Sequence, residues 1–190
     1  MEQAMTYLQE GRREEAVDLF SSVLRTYPEE AAAYRGRGVA QMQLGHWSSA
    51  VSDFTAVKRL APDDRENRID LAMSLAKNNQ VYPALDEFDT LLIEYPQYVR
   101  GHIELGLLHV QLGAIPKGKQ QLRQALACQP TRVEREFIEQ ALKEQNRLDV
   151  KRYYRPDFEA LHRAQQTEVS SGWIGALQKV VKRFNKRKAR

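Results

Sequence analysis

Four histidines and one cysteine are the side chains of this sequence best suited to bind a metal, transfer a proton or attack a substrate. His46, His102, His109 and His162 form neither a pair with zinc-ligand spacing nor a zinc-protease motif. His102 and His109 are seven residues apart and share one face of a predicted helix. They are predicted to fill core positions, and a metal or proton-shuttle role is the alternative. Cys128 has no second cysteine to pair with, and we interpret it as a small structural residue rather than a reactive thiol.

Paired acids and glycines add no catalytic arrangement. Glu14–Glu15 and Asp63–Asp64 fall in the first turns of predicted helices, where carboxylates favour the helix dipole. The glycines serve as helix stops or packing residues and form no phosphate-binding loop. We therefore predict that the protein is not an enzyme and uses no cofactor or metal.

Charge is unevenly distributed along the 190 residues. Apolar residues make up 42% and charged residues 28%, which is typical of a soluble helical protein. The net charge is +4, but residues 171–190 contain seven Lys or Arg and no acid, so the rest of the chain sums to −3. No apolar run approaches the roughly 20 residues of a membrane span. The polar start is not a secretory signal, and we predict a cytoplasmic protein.

Four prolines divide most of the chain into equal units. Pro28, Pro62, Pro96 and Pro130 are each 34 residues apart, and each follows an apolar stretch. Proline lacks an N–H donor and restricts the residue before it, so a helix ends at each of these positions. The spacing predicts one helical unit repeated four times.

Other positions repeat at the same period. A turn former stands 17 residues before each proline and divides each unit into two helices: Gly11, Gly45, Asn79, Gly113. Small residues stand 24 residues before each proline, on the first helix: Ala4, Gly38, Ala72, Gly106. Small residues also stand 12 residues before each proline, on the second helix: Ala16, Ala50, Ala84, Gly118. A large apolar residue stands eight before it: Phe20, Phe54, Phe88, Leu122. The small residues allow two helices to approach closely, and the large ones fill the space beside them.

This set of positions resembles the tetratricopeptide repeat over residues 1–130. The first unit begins partway into its first helix. The aromatic residue that the family carries near the start of the first helix is Tyr34 in the second unit, but Arg68 and His102 in the next two. Gly118 replaces the usual alanine, and Pro116 lies in the first turn of the same helix, where proline is tolerated. These departures keep the fold, and we expect the fourth unit to be locally looser.

The resemblance implies an all-α fold, a right-handed α-solenoid of four helical hairpins over residues 1–30, 31–64, 65–98 and 99–130. A capping helix follows at 131–148, with Thr131 as N-cap and Glu134 three residues on. An apolar face of this helix includes Val133, Phe137, Ile138 and Ala141. A linker helix at 149–170 and a C-terminal amphipathic helical extension at 171–190 complete the chain.

The resemblance also places a partner-binding groove on the concave side, lined by the first helix of each unit. The predicted lining is Met5, Leu8, Arg35, Val39, Met42, Gln43, Ile69, Met73, Lys77, Ile103, Leu107 and Val110. It lacks the Lys/Asn/Lys/Arg set by which some relatives hold a terminal carboxylate. An apolar groove suits an amphipathic helix or an apolar peptide. The alternative is that these residues pack between neighbouring units.

The basic tail is the second candidate surface. Apolar residues recur there at helical spacing and the opposite side is basic. The contact residues would be Trp173, Ile174, Leu177, Lys179, Val180, Lys182, Arg183 and Phe184. Such a helix can lie on an anionic membrane, pack on the repeats, dock into a partner protein or bind nucleic acid.

We predict a non-enzymatic scaffold that binds a peptide or helix of a protein partner, with the tail localising it to an anionic membrane surface. The alternative is a nucleic-acid-associated adaptor that uses the tail. The sequence leaves the partner and the oligomeric state open.

Overall fold

A computed structural model describes residues 1–149, and this part of the chain is helical throughout. The predicted linker helix beyond residue 149 and the basic tail lie outside the described residues. The helices run in order as α1 (Glu2–Gln9), α2 (Arg13–Thr26), α3 (Ala31–Leu44), α4 (Trp47–Leu60), α5 (Arg65–Lys77), α6 (Val81–Glu94), α7 (Val99–Gln111), α8 (Ile115–Ala127) and α9 (Arg132–Asp149). Each helix packs against the next one along the chain, which confirms the predicted α-solenoid.

The repeating turn positions are the points where the backbone reverses between helices. Gly11, Gly45, Asn79 and Gly113 have φ angles of 78°, 80°, 63° and 78°, a left-handed conformation that glycine and asparagine tolerate best. The repeated prolines follow α2, α4, α6 and α8 at the predicted positions. The prediction of a hairpin in each unit is therefore confirmed.

A column of large apolar side chains forms the core. Phe20, Phe54, Phe88 and Leu122 are fully buried. Phe20 packs on Gly36 of the next unit, and Phe54 packs on Gly38 within its own unit, because neither glycine has a side chain to keep the ring away. The same column thus holds hairpins together and joins one hairpin to the next.

The fourth hairpin is packed more tightly than the sequence suggests. A Cβ atom added to Gly118 would lie 2.5 Å from Cγ2 of Val110 and 2.7 Å from the carbonyl oxygen of Gly106. The backbones of α7 and α8 therefore approach more closely than an alanine would allow. Since Gly118 has no methyl group, the two helices move together and leave no empty space at this position. The expectation of a looser fourth unit is therefore wrong.

A second repeating column, nine residues before the proline, is polar from the second unit onward. It contains Asp53, Glu87 and Gln121, and each pairs with a side chain of the preceding helix. Asp53 accepts two hydrogen bonds from Arg37, at 2.9 and 2.7 Å. Arg37 also donates to Ser21 Oγ of the first unit at 3.1 Å, so this column joins units as well as helices.

His102 of α7 is the partner of Gln121 in this polar column. Its Nε2 lies 2.9 Å from the carbonyl oxygen of Pro96, which can only accept, and its Nδ1 lies 2.8 Å from Oε1 of Gln121. Both ring nitrogens are engaged and the side chain is buried. This supports the predicted core role rather than a metal-binding one.

The last described helix, α9, begins with the predicted capping box. Thr131 Oγ1 accepts from the backbone N–H of Glu134 at 3.3 Å, and the Glu134 carboxylate accepts from the Thr131 N–H at 2.8 Å. Ile138 and Ala141 are buried, whereas Val133 and Phe137 are exposed. Only part of the predicted apolar face of α9 therefore packs on the solenoid.

Candidate binding groove

The first helices of the repeating units, α1, α3, α5 and α7, form the surface on which the groove was predicted. Arg35 of α3 reaches Asp64 and Asp70, at the start and in the middle of α5, at 3.8 Å each. Arg100 of α7 forms an ion pair with Glu66 of α5. These bridges show that α3, α5 and α7 lie side by side. We call the surface formed by these helices the inner face.

Four of the twelve predicted groove residues are core residues. Ile69, Ile103, Leu107 and Val110 have exposed fractions of 1%, 6%, 9% and 9%. Their burial favours the packing interpretation for these four, which come from α5 and α7. The buried residues of α7 contribute to the solenoid, whereas Arg100 of the same helix is exposed and Glu104 is half-buried.

The other predicted residues remain accessible. Met5 and Gln43 are exposed, and the rest are half-buried: Leu8, Arg35, Val39, Met42, Met73 and Lys77. Val39 and Met42 pack along the edge of the core cluster that contains Phe54. The apolar part of the inner face that a partner could touch therefore consists of Met5, Leu8, Val39, Met42 and Met73, which we call the apolar strip.

Two carboxylates that sequence reasoning missed lie beside this strip. Asp70 and Glu104 are half-buried and occupy equivalent positions, 26 residues before the prolines of their units. Burial raises the pKa of Asp70 to about 6; nearby Arg35 lowers it, while Asp64 and Glu104 raise it. Burial likewise raises the pKa of Glu104, against a lowering by Arg100. The sequence signal was their shared position, one residue after Ile69 and Ile103.

Other ionisable groups near the inner face are tied into local contacts. Tyr98 donates its hydroxyl hydrogen to Glu66, and the guanidinium of Arg65 lies 5.1 Å from the ring centres of both Tyr95 and Tyr98. Burial lowers the pKa of Lys77, since the charged ammonium loses solvation there. The inner face thus carries charges of both signs around an apolar strip.

Cys128 and His109, two of the candidate reactive residues, are both half-buried. The Cys128 sulfur lies 3.7 Å from the carbonyl oxygen of Pro96, and burial raises the pKa of its thiol. A raised thiol pKa lowers the thiolate fraction at neutral pH and with it the reactivity. Burial also lowers the pKa of His109, which Lys117 lowers further and Asp89 raises.

Residues 1–149 contain neither a metal-ligand cluster nor a membrane-spanning helix. Among residues 1–149, no group of three or more His, Cys, Asp or Glu side chains is placed to hold a metal ion. None of the helices described here has the length and apolar character needed to span a bilayer. The predicted tail contacts, Trp173 to Phe184, lie outside the described residues and stay a prediction.

Stacked helical hairpins with a repeating core define the class of α-solenoid repeat proteins. The family model for the tetratricopeptide repeat matches residues 1–65. This match agrees with the tetratricopeptide repeat that the proline spacing predicted for these residues.

Solved structures share this fold. MamA from Desulfovibrio magneticus RS-1, from residue 41 to its end, is 22% identical with a TM-score of 0.64, covering 89% of this chain and 94% of that one. YrrB, described as a TPR protein with an unusual peptide-binding site, is 20% identical with a TM-score of 0.62, covering 72% and 71%. A further MamA crystal structure is 15% identical with a TM-score of 0.62, covering 80% and 98%. No curated protein sequence matches the chain. At these identities the likeness concerns the fold.

Proposed function

We propose that this protein-protein interaction scaffold binds an apolar peptide or amphipathic helix of a partner on its inner face, and is held at an anionic membrane surface by its basic tail. The first part rests on the apolar strip, and the second on the composition of residues 171–190. The description of YrrB as having a peptide-binding site shows that a protein of this fold can serve such a purpose.

The observation that carries the groove proposal is the half-burial of Val39, Met42 and Met73. Val39 and Met42 pack against the core cluster that contains Phe54, and all three side chains keep part of their apolar surface exposed. Methionine side chains are flexible and polarisable, so they adapt to different apolar partners. Covering such a strip with a partner's apolar side chains yields about 25 cal/mol per Å² of buried area, before the costs of association.

A displayed random-peptide library tests the groove. Peptides are selected on the full chain, and their affinities are then measured against the double variant Met42→Glu/Met73→Glu. We expect binding to be lost while the helical circular dichroism spectrum is retained. The matched control is Tyr82→Glu/Ile93→Glu, which places the same charges on α6 at side chains that are 83% and 79% exposed.

Three outcomes would count against the groove. Equal binding by the wild type and the Met42/Met73 variant would place the peptides elsewhere. Loss of helical structure in that variant, with the control still folded, would show that the two methionines are core residues. Equal loss in the control variant would show that added negative charge, rather than the inner face, governs binding.

A sedimentation experiment tests the tail. The full chain and a chain lacking residues 171–190 are mixed with vesicles of neutral or anionic lipids. We expect only the full chain to sediment, and only with anionic vesicles, because each basic residue near such a surface contributes about 1 kcal/mol. Equal sedimentation of both chains would refute the membrane role. Tail-dependent binding to nucleic acid without vesicle binding would favour the adaptor function instead.

A further inference from the structure

We propose, building on the proposed groove function, that the partner segment is a basic amphipathic helix whose apolar side covers Val39, Met42 and Met73 and whose lysine or arginine binds beside Asp70 and Glu104. The apolar strip alone would accept many sequences. The two carboxylates select among them by charge, which identifies the chemistry of the partner.

Asp70 and the apolar strip belong to one continuous surface, and Glu104 lies near enough to raise the pKa of Asp70. Asp70 precedes Met73 by three residues on α5, so the two side chains are neighbours on the same helix face. Arg35 reaches across to Asp70 at 3.8 Å and precedes Val39 by four residues on α3. A helix lying on Val39 and Met73 therefore passes within reach of Asp70.

The arginines that act on Asp70 and Glu104 are each shared with another carboxylate. Arg35 divides its guanidinium between Asp64 and Asp70, and both contacts are 3.8 Å, longer than a hydrogen bond. Arg100, the cation that acts on Glu104, is engaged by Glu66. Since an incompletely paired, half-buried carboxylate loses solvation without full compensation, an added cation stabilises this site.

The raised pKa values of Asp70 and Glu104 agree with the incomplete pairing of these carboxylates. Asp70 is disfavoured as an anion by burial and by its neighbours Asp64 and Glu104, despite the opposing charge of Arg35. Such a group destabilises the unbound protein at neutral pH, and a binding site can retain that destabilisation for function. An acidic segment would instead add a like charge and be repelled.

Direct peptide titration tests the proposal on the full chain. The probe is a synthetic 18-residue helix with leucines on one side and lysines on the other, and its control has every lysine replaced by glutamate. We expect the lysine peptide to bind at least about tenfold more tightly, an effect of roughly 1.4 kcal/mol. The double variant Asp70→Asn/Glu104→Gln is expected to lose about tenfold in affinity for the lysine peptide.

A charge-matched variant separates local recognition from general attraction. Asp18→Asn/Asp86→Asn removes the same charge from exposed positions on α2 and α6. We expect its affinity for the lysine peptide to stay within about twofold of the wild type, because exposed distant charges are screened by salt. Equal losses in the two double variants would overturn the proposal.

The inference and the proposed function can fail separately. If both peptides bind equally and only Met42→Glu/Met73→Glu weakens them, the groove stands and the basic partner is wrong. If Asp70→Asn/Glu104→Gln weakens binding but Met42→Glu/Met73→Glu does not, the carboxylate site stands and the apolar groove is wrong. If no variant changes binding, both are wrong.

Discussion

Arg68 donates from Nε to Oε1 of Glu87 at 2.8 Å, inside the hairpin formed by α5 and α6. The two side chains are only 4% and 9% exposed. The other carboxylate oxygen of Glu87 accepts from Lys58 of α4 at 2.6 Å, so the pair also ties the third unit to the second. An arginine at the family's aromatic position is therefore compensated by an acid that the structure places opposite it.

Removing the arginine should be strongly destabilising. Arg68→Met leaves Glu87 buried with only its Lys58 contact, so we expect the free energy of unfolding to fall by about 3 kcal/mol or more. Urea denaturation followed by circular dichroism measures this. The control Arg132→Met removes an ion pair to Glu136 that is 90% and 64% exposed, and should change stability by less than about 1 kcal/mol. Equal effects of the two substitutions would contradict the buried role of Arg68.

Gly118→Ala should destabilise the fold although alanine occupies the equivalent position in the other units. Alanine gains up to about 1 kcal/mol in helix propensity over glycine. Against this, its Cβ would lie 2.7 Å from the carbonyl oxygen of Gly106, so two backbones must separate. Overpacking costs about 1–3 kcal/mol, and we expect a net loss in chemical denaturation.

An exposed position on the same helix provides the comparison for Gly118. Gln120→Ala on α8 changes a solvent-facing side chain and should leave the unfolding midpoint nearly unchanged. A gain in stability for Gly118→Ala, beyond that of the control, would show that α7 and α8 can move apart freely.

The sequence predicted the solenoid because its signals are local. A proline or a glycine acts on its own backbone, so Pro62 and Gly45 could be interpreted without knowing their neighbours. Each of these signals is weak by itself, but it recurs four times at a 34-residue period, and the recurrence predicts the repeat. For the same reason the capping box of Thr131 was predictable from two residues three positions apart.

The inner face was less predictable because burial depends on neighbours. Arg35, Ile69 and Ile103 occupy the same repeat position, yet the first is half-exposed and the other two are buried. The carboxylate of Glu87 was also missed, since a buried acid is recognised only when its partner's position in space is known. Helical spacing gives the face on which a residue lies, but the adjoining helices determine whether that face is open.

Thr131→Ala tests the start of α9. The threonine hydroxyl caps the Glu134 N–H, and the Glu134 carboxylate also accepts from the hydroxyl at 2.7 Å. Loss of this cap should lower the free energy of unfolding by about 1 kcal/mol. Thr90→Ala is the matched control, because the Thr90 hydroxyl only returns to its own helix at the Asp86 carbonyl, 2.7 Å away, and its loss should be nearly neutral. Similar losses at both positions would argue against a specific cap.

Asp70→Asn should change how stability depends on pH. The pKa of Asp70 is raised from 3.8 to about 6 in the folded protein, so the folded state holds a proton that the unfolded chain releases. As pH rises from about 4 to about 6, this group therefore lowers the free energy of unfolding, by at most about 3 kcal/mol. Below about pH 4 both states are protonated, and above about pH 6 the loss is complete.

The asparagine variant lacks this titration, so its stability relative to the wild type should increase across the same pH window and then level off. Urea denaturation at several pH values measures the free energy of unfolding of the variant and of the wild type. In the difference between the two values, the contributions of the other titrating groups largely cancel. The matched control is Asp86→Asn, which removes a carboxylate from an exposed site on α6. A pH-independent difference for Asp70→Asn would refute the raised pKa. A difference that declines with rising pH would show that Arg35, the nearest opposing charge, outweighs burial and the acids Asp64 and Glu104.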